Sequence, residues 1–340
     1  MKSSLTYAKA GVDITRIAKL HKKIDTILAR THQTRTGKVG QVLNIRQHYA
    51  GLVDLGNQYA LAAHTDGVGT KVLVAEACRK YNTIGIDCVA MNVNDIICLG
   101  AEPLALVNYL ALEKPQPKLV HDIMIGLQKG AQEANVAVIG GETAIMPDVV
   151  KGFDLAATVI GLVNKKKIIT GEKIQPGDTI LGLRSSGIHS NGLTLARKLL
   201  LTHRTEPETL RELLRPTRIY TRIILKLLNS NREIHGLAHI TGGGYSKLKR
   251  IGHKTKVGFL LDHLPQPQLI FEKIQTKGDI SDREMYRTFN MGIGFLIICP
   301  QREAKRIKQI VPEILQVGSV TNTSSATITL PRKKFEVEKW

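Results

Sequence analysis

The sequence predicts an α/β protein of the α+β type that is divided into two α/β domains. Short runs rich in β-branched residues alternate with amphipathic stretches along the chain, which is typical of layered folds of helices and sheets. A length of 340 residues corresponds to about two domains of roughly 100–200 residues each. Hydrophobic residues make up 43% of the chain, which excludes an intrinsically disordered protein and provides material for buried cores.

The predicted elements are distributed over both halves of the chain. Apolar residues at three- and four-residue spacing indicate helices, and short β-branched runs bounded by turn residues indicate strands. The predicted helices are 14–29, 83–100, 119–134, 191–201, 217–230 and 302–310. The predicted strands are 59–63, 137–139, 156–162, 179–183, 257–261, 292–298 and 326–330.

The domain boundary is predicted near residue 165. Three consecutive lysines at 165–167 and the turn sequence QPGD at 175–178 separate two predicted strands. We therefore expect an N-terminal domain over residues 1–165 and a C-terminal domain over residues 166–340.

The chain is strongly basic, with 48 Lys and Arg against 29 Asp and Glu and a formal net charge of +19. Most of the excess lies in residues 171–340, which contain 28 basic and 15 acidic side chains. The charge has two interpretations, a generally basic surface or a field that attracts phosphorylated small molecules. Aromatic residues are only 4% and no nucleic-acid-binding signature is present, so we expect no nucleic-acid partner.

The sequence also predicts a cytoplasmic location without membrane association. Its longest apolar run, near residues 293–299, is the length of a strand and falls short of the ~20 residues of a membrane span. The N-terminus has no apolar segment typical of a secretory signal. The four cysteines contain no CxxC pair, which is consistent with a reducing compartment.

Helix 83–100 carries polar residues on an otherwise apolar surface. At 100° per residue, Asp87, Asn94 and Asp95 share one side, while isoleucines and valines occupy the other. The polar side either faces water or forms part of a ligand site, and this helix alone does not decide between them.

The segment TDGVGTK at 65–71 follows a predicted strand. Gly67 and Gly69 allow the backbone to approach an anion closely, Asp66 offers an oxygen ligand to Mg²⁺, and Lys71 offers a positive charge to a phosphate. The spacing is not that of a P-loop. The alternative is that Asp66-Gly67 forms a hairpin turn.

Four further glycine-rich segments contain polar residues. GGETA at 140–144 places Glu142 after a predicted strand, and Asp154 follows shortly; SSGIHSNG at 185–192 joins a strand to a helix. That joint forms either an anion site at a helix N-terminus or a simple helix cap through Ser190 or Asn191. The other two segments are TGGG at 241–244 and RTFNMGIG at 287–294. Together these segments and dispersed acids suit Mg-nucleotide chemistry better than a hydrolytic triad.

In this order, the motifs resemble the aminoimidazole ribonucleotide synthetase family, also called phosphoribosylformylglycinamidine cyclo-ligase, of de novo purine synthesis. The resemblance covers nearly the whole chain, including YAKAGVD at 7–13. The motifs that carry it are TDGVGTK (65–71), TIGIDCVAMNVNDI (83–96), GAEP (100–103), GGETAIMP (140–147), SSGIHSNG (185–192), HITGGG (239–244) and EMYRTFNMGIG (284–294).

The resemblance implies a homodimer in which the N-terminal sheets of two subunits close into a barrel. It also implies an ATP- and Mg²⁺-dependent ring closure of formylglycinamidine ribonucleotide, in which phosphate activates the formamide oxygen and an amine nitrogen then attacks. Such chemistry requires positioning and charge neutralisation more than covalent catalysis by the protein.

The resemblance also implies roles for individual residues of this sequence. The catalytic residues would be Asp66, Lys71, Asp95 and His189. The ATP- and phosphate-binding residues would be Thr65, Gly67, Gly69, Asn94, Gly141 and Thr143. The substrate side would consist of Ser190, Asn191, Thr288 and Asn290, with Met291 as a further wall. The metal ligands would be Asp66, Asp87, Asp95 and Glu142, with Asp154 as a further candidate.

The sequence departs from the family after HITGGG, where it reads YSKLKR at 245–250 in place of an Asn and a Pro-Arg. We expect Lys249 or Arg250 to replace the missing phosphate contact. Within the superfamily, the alternatives are thiamine-monophosphate kinase, selenophosphate synthetase, a hydrogenase-maturation dehydratase and formylglycinamidine ribonucleotide synthetase. The reactive N-terminal Cys-Lys of the second and the C-terminal Cys of the third are absent.

Overall fold

A computed structural model describes residues 10–11, 13–45 and 48–339 of the chain. Much of the predicted 7–13 motif lies outside these residues. The helices are α1 (Ile14–Leu28), α2 (Val72–Cys78), α3 (Ile84–Ile96), α4 (Pro117–Ala134), α5 (Leu193–Leu200), α6 (Pro207–Leu214), α7 (Thr221–Asn229), α8 (Lys249–Gly252), α9 (Leu269–Gly278), α10 (Asp282–Thr288) and α11 (Gln301–Ile310). The strands are β1 (Val42–Leu43), β2 (Gly51–Asp54), β3 (Tyr59–Gly67), β4 (Glu102–Leu112), β5 (Ala137–Ile145), β6 (Phe153–Asn164), β7 (Thr179–Arg184), β8 (Gly236–His239), β9 (Gly258–Leu261), β10 (Ile293–Cys299), β11 (Leu315–Thr321), β12 (Ser325–Leu330) and β13 (Lys333–Lys339).

The first sheet has six strands in the order β1-β2-β3-β6-β4-β5. Its neighbours are antiparallel, except that β4 and β5 run parallel. Burial alternates along β6, because one face of the sheet packs against helices while the other face stays open. Helix α3 covers this packed face over β3 and β6, and α4 packs on α3.

The second sheet has seven strands in the order β13-β12-β9-β11-β7-β10-β8. All its pairs are antiparallel apart from β9 and β12. Every residue of β10 is buried, which explains why this strand is the longest apolar run of the sequence. The mixed α/β architecture with two sheets confirms the predicted fold class.

Helices α3 and α4 contact each other backbone to backbone at glycines. A Cβ added to Gly85 would lie 2.1 Å from the backbone nitrogen of Leu127, and one added to Gly126 would lie 2.7 Å from the carbonyl oxygen of Asn82. Only glycine fits at so short a separation. This contact fixes α3 against the first domain, so that its remaining side is available to the second domain.

Two of the predicted strands are longer than the sequence predicts and include glycine-rich segments. Strand β3 continues to Gly67, so the hairpin-turn interpretation of Asp66-Gly67 is wrong. Strand β5 continues through residues 140–144 to Ile145. The predicted helix 83–100 is α3 followed by a 3-10 turn over Ile97–Leu99, and it ends at Gly100 with φ +76°, as the glycine predicts.

Candidate active site between the two sheets

The polar side of α3 lies at the junction between the two domains. Asp87 is fully buried, and its Oδ1 accepts hydrogen bonds from Lys71 Nζ at 2.8 Å and Ser190 Oγ at 3.0 Å. It also accepts from the backbone nitrogen of Thr217 at 2.7 Å and from the Thr217 hydroxyl at 2.6 Å. The water-facing interpretation of this side is therefore wrong. All four bonds use Oδ1, whereas Oδ2 is buried without a hydrogen-bond partner among the described residues, so the metal ligation of Asp87 stays a prediction.

Asn94 makes a second connection between the domains. Its Nδ2 donates to the carbonyl oxygen of Arg218 at 2.8 Å, and its Oδ1 accepts from the backbone nitrogen of Tyr220 at 2.9 Å. Asn94 is fully buried, and both ends of its amide are occupied by the segment that precedes α7. It therefore supports the site and is not placed to bind a phosphate directly.

Lys71 is buried with Asp87 and has no exposed surface. Besides the ion pair, its ammonium donates to the carbonyl oxygen of Arg215 at 2.6 Å. Burial lowers the pKa of Lys71, and the Asp87 carboxylate opposes that shift. The predicted role of Lys71 as a phosphate contact does not fit this position, because a phosphate cannot reach its nitrogen without movement of the surrounding chain.

Asp95 is the α3 carboxylate that reaches a pair of histidines near the cleft between the sheets. Its Oδ1 lies 2.6 Å from Nδ1 of His239, and its Oδ2 lies 3.5 Å from Nε2 of His64. Burial opposes ionisation of Asp95, but the hydrogen bond from His239 and the charges of the two histidines hold its pKa below the usual value. Asp95 is therefore a carboxylate prepared to stay ionised.

Asp66 lies close enough to Asp95 for the two carboxylates to interact. Burial and the charge of Asp95 raise the pKa of Asp66. Its backbone nitrogen donates to Oδ1 of Asn92 on α3 at 3.0 Å, which fixes the end of β3 on this helix. Two neighbouring carboxylates repel each other unless a cation lies near them. Asp66 and Asp95 thus form the acidic side of the candidate site.

His64 and His239 were not predicted from the sequence, although a signal for each existed. His64 precedes Asp66 by two residues, and alternation along a strand places both on the same face of β3. His239 opens the motif HITGGG, but only the pairing of β8 with β10 and the packing around it bring it to Asp95.

Magnesium fits this donor set when it is carried by a phosphate ligand. Mg²⁺ in nucleotide sites is usually held by one or two carboxylates together with the phosphate oxygens. Asp66 and Asp95 supply two such carboxylates. Among the residues that the structure describes, no group of three or more His, Cys, Asp or Glu side chains is arranged to hold a metal by itself.

Glu142 is not brought to this carboxylate pair within one chain. Across the sheet, Asp66 is paired with Ala157, Ala157 with Asn108, and Asn108 with Gly141. Gly141 is therefore in the row of Asp66, and the side chain of the next residue, Glu142, points to the opposite face. Three strand spacings of about 4.8 Å also separate β3 from β5. One metal ion cannot be shared by Asp66 and Glu142 of the same subunit.

The remaining predicted site residues of the first domain are exposed or half-buried. Thr65 and Gly69 are exposed, and Gly67 is half-buried beside them. The Thr65 hydroxyl donates to the carbonyl oxygen of Ala157 at 2.9 Å. The other exposed positions of this group are Gly141, Thr143 and Asp154.

The loop 185–192 is held from beneath by the α3 contacts. His189 is buried with φ +63°, and its Nε2 accepts from the backbone nitrogen of Ser186 at 3.2 Å. Burial lowers the pKa of His189 well below its usual value, so the ring is neutral at pH 7. It therefore shapes the loop, and because its Nδ1 is buried without a hydrogen-bond partner among the described residues, its catalytic role stays a prediction. Ser190 and Asn191, in contrast, are half-buried at the edge of the cleft.

Thr288, Asn290 and Met291 are buried behind the same loop. Asn290 Oδ1 accepts from Ser185 Oγ at 2.9 Å, and its Nδ2 donates to the carbonyl oxygen of Gly187 at 2.9 Å. Asn290 thus supports the loop, and the predicted substrate contact does not fit its present position. Met291 has φ +46° and follows directly.

A cavity of about 950 Å³ opens beside the carboxylate pair. Residues of both domains line it, from α1 and the segment before β2 on one side to the loop after β8 on the other. His64 lies on its wall, 3.5 Å from Asp95, so the cavity is one side chain away from this carboxylate. Most of its charged lining residues are basic; its polar and charged lining includes His48, His64, Lys247, Lys249, Arg250, Arg287 and Glu338.

The fold and this site define a two-domain α/β enzyme whose candidate site lies where the domains meet. Residues 47–163 match the model of the AIR synthase related protein N-terminal domain, and residues 175–331 match that of its C-terminal domain. No helix in the described part of the chain is long and apolar enough to cross a membrane.

Relatives that match nearly the full length of the chain identify its family. A phosphoribosylformylglycinamidine cyclo-ligase of Pyrococcus furiosus is 52% identical over 93% of this chain and 95% of its own. One of Methanosarcina acetivorans is 47% identical over 92% of this chain and 96% of its own. The chain belongs to the phosphoribosylformylglycinamidine cyclo-ligase family, and it is therefore a ligase.

Solved structures with lower sequence identity share the fold. AaThiL complexed with AMPPCP and TMP has a TM-score of 0.66 at 16% identity, over 96% of this chain and 98% of that chain. The hydrogenase maturation protein HypE in complex with ATP has a TM-score of 0.62 at 19% identity, over 82% of this chain and 85% of that chain. Both likenesses concern the fold alone.

Proposed function

We propose that this chain catalyses the ATP-dependent cyclisation of formylglycinamidine ribonucleotide to 5-aminoimidazole ribonucleotide, a step of de novo purine synthesis. The single observation that carries the proposal is the 52% identity to a phosphoribosylformylglycinamidine cyclo-ligase over 93% of the chain. The arrangement of acidic and basic side chains between the two sheets agrees with a reaction between two phosphorylated ligands. ADP and inorganic phosphate are the other products.

The proposed reaction transfers the terminal phosphoryl group of ATP to the formamide oxygen of the substrate. The amine nitrogen then attacks the activated carbon, the C–N bond of the ring forms, the C–O bond to phosphate breaks, and the nitrogen releases its proton to solvent. The protein has to align the nitrogen with the carbon and neutralise charge on the transferred group. It also has to exclude water that would compete for the phosphoryl group.

Asp66 and Asp95 are the residues that we propose to hold the magnesium of Mg·ATP. Mg²⁺ would neutralise phosphate charge during transfer. His239 and His64 keep Asp95 oriented and ionised through the contacts at 2.6 and 3.5 Å. Gly67 and Gly69 provide accessible backbone next to Asp66 for the phosphates, whereas the Thr65 side chain points to the opposite face of β3, and its phosphate contact stays a prediction of the motif.

Ser190 and Asn191 are proposed to contact the reacting part of the ribonucleotide. They lie at the cleft, on the loop that Asp87 and Asn290 hold from below. Lys71, Asp87, Asn94, His189 and Asn290 are proposed as positioning residues of this site.

We further propose that the chain acts as a homodimer built on the open side of its first sheet. Strand β5 is an edge strand with exposed residues along its whole length, apart from half-buried Ala144. Beside it, β4 exposes Val107 and Tyr109 on the open side, and β5 exposes Ile139. A free edge next to an apolar face suits association with a second copy of the same sheet.

The cytoplasmic location stays a prediction. In its support, the four cysteines form no disulfide, and Cys88, Cys98 and Cys299 are buried as free thiols.

The test is to incubate the folded protein with formylglycinamidine ribonucleotide, ATP and Mg²⁺ and to measure aminoimidazole ribonucleotide and ADP. We expect product from the wild type and from Asp122→Ala, a control on the surface of α4. We expect Asp66→Ala and Asp95→Ala to lose most of the activity while they keep the wild-type circular dichroism. No product from the folded wild-type protein would overturn the proposal; full activity of either variant would remove that carboxylate from it.

A further inference from the structure

The cavity beside the carboxylates is lined by two cations that form no ion pair with the described residues. Lys247 and Arg250 line it, and neither has a carboxylate within 4 Å among the residues that the structure describes. The Arg250 guanidinium instead lies over the ring of Tyr49, 5.2 Å from the ring centre. Cations that line a cavity without an acidic partner are an arrangement that favours a bound anion.

The neighbouring basic residues differ in this respect. Lys249 Nζ lies 3.6 Å from Glu338 Oε1, and the Arg287 guanidinium lies 3.9 Å from Glu338 Oε2. One carboxylate therefore already offsets part of the charge of both. Lys247 and Arg250 thus differ from Lys249 and Arg287 in having no carboxylate partner among the described residues.

Two further observations indicate that the cavity is short of negative charge. Burial and the neighbouring Arg250 lower the pKa of Lys247 to about 8, and the more distant charges of Asp95 and Asp66 oppose this shift only in part. Burial, with the charges of Arg250 and Lys254, lowers the pKa of His48 to about 4, and both ring nitrogens of His48 are buried without a hydrogen-bond partner in the described residues. An anion in the cavity would relieve the repulsion and give these donors an acceptor.

The position of the cavity limits which anion it takes. The carboxylates that we propose as magnesium ligands adjoin the cavity through His64, and their charges act on Lys247 from beyond ion-pair distance. Metal-bound phosphates belong with the carboxylates, whereas a phosphate monoester without a metal requires cationic donors. A volume of about 950 Å³ is enough for a ribonucleotide rather than for an inorganic ion alone.

We propose that Lys247 and Arg250 bind the 5′-phosphate of the ribonucleotide substrate, with His48 as a third donor. This inference rests on the proposed function, because it concerns the same site. It resolves the open choice between Lys249 and Arg250 in favour of Arg250, and it adds Lys247, which the sequence analysis did not select. Arg250 stacked on Tyr49 provides a guanidinium held in one orientation, which suits recognition of a phosphate by two parallel hydrogen bonds.

The test measures the phosphate site separately from the reaction. Calorimetry is used to titrate ribose 5-phosphate, inorganic phosphate, ribose and Mg·ATP into the wild type, Lys247→Gln, Arg250→Gln and the double variant. The matched control is Lys305→Gln with Arg332→Gln, which removes the same charge from exposed positions away from the cavity. We expect ribose 5-phosphate to bind roughly tenfold more weakly to each single variant, with Mg·ATP affinity unchanged, and ribose not to bind.

Three results would overturn the inference. They are wild-type affinity of the double variant for ribose 5-phosphate, an equal loss of ribose 5-phosphate and Mg·ATP binding, and no binding of ribose 5-phosphate to the wild type at millimolar concentrations. Steady-state kinetics distinguish this failure from that of the proposed function. If the wild type forms aminoimidazole ribonucleotide but the double variant keeps its KM for the ribonucleotide, the function holds and the phosphate site is wrong. If the wild type forms no product but ribose 5-phosphate binding depends on both residues, the phosphate site holds and the proposed function is wrong.

Discussion

Lys71 and Asp87 form an ion pair of 2.8 Å in which neither side chain is exposed to solvent. The pair connects the glycine-rich segment after β3 to α3, and Asp87 continues the connection to Thr217 and Ser190 of the second domain. Lys71 adds its own bond to the carbonyl oxygen of Arg215. A motif whose sequence suggests phosphate binding thus contributes a lysine that holds the domains together.

We expect Lys71→Met to lower the free energy of unfolding by about 3–5 kcal/mol, because it leaves the Asp87 charge buried without its counterion. Urea denaturation measured by circular dichroism gives this value. Lys305→Met, on the exposed side of α11, serves as the control and should change stability by less than about 0.5 kcal/mol. A loss below about 1 kcal/mol in Lys71→Met would mean that the pair does not support the fold.

The hydrogen bond between His239 and Asp95 is expected to set the acid limb of the activity profile. Burial raises the pKa of Asp95, and the His239 bond holds it below its usual value. His239→Phe removes that hydrogen bond while Asp95 stays buried, so the pKa of Asp95 rises. The acid limb of kcat/KM should then move to higher pH. His263→Phe, at an exposed histidine paired with Asp262, should leave the limb in place. An unchanged limb in His239→Phe would exclude this role.

The pKa of about 8 at Lys247 predicts a loss of ribonucleotide binding in alkaline solution. Its folded-state pKa is below the usual value for lysine, so the ammonium is charged below pH 8 and becomes neutral as the pH rises through that value. We therefore expect kcat/KM for the ribonucleotide to fall above about pH 8. Lys247→Arg should retain charge and remove this decline, whereas Lys249→Arg should not. An identical decline in wild type and Lys247→Arg would contradict the prediction.

The exposed apolar side of the first sheet predicts the oligomeric state. Tyr109→Glu combined with Ile139→Lys places charges on this side and should convert a dimer into a monomer, because charges at the centre of an interface are costly to bury. Light scattering after size-exclusion chromatography measures the mass. Leu269→Lys is the control, since this residue is 70% exposed on the second domain. A monomeric wild type, or a dimer that survives both charges, would refute the proposed interface.

Strand β4 illustrates why part of the fold was not predictable from local sequence. Its sequence EPLALVNYLAL contains Pro, Leu and Ala, which are poor indicators of a strand. It forms a strand because β6 and β5 pair with its two edges, and such long-range pairing overrides a weak local preference. The buried strand β10 and the glycine-terminated helix α3 were predictable, since an apolar run and a helix end have local signals.

The sequence by itself determined the two-domain α/β class, the family motifs and the polar side of α3. Those features depend on residue type and spacing along the chain. The role of each polar residue depends instead on the face of the sheet or helix to which its side chain points and on the elements that cover that face. Tertiary structure therefore decided that Asp87 and Lys71 are buried supports, that Glu142 and Asp66 face opposite sides of one sheet, and that His239 reaches Asp95 from 144 residues away.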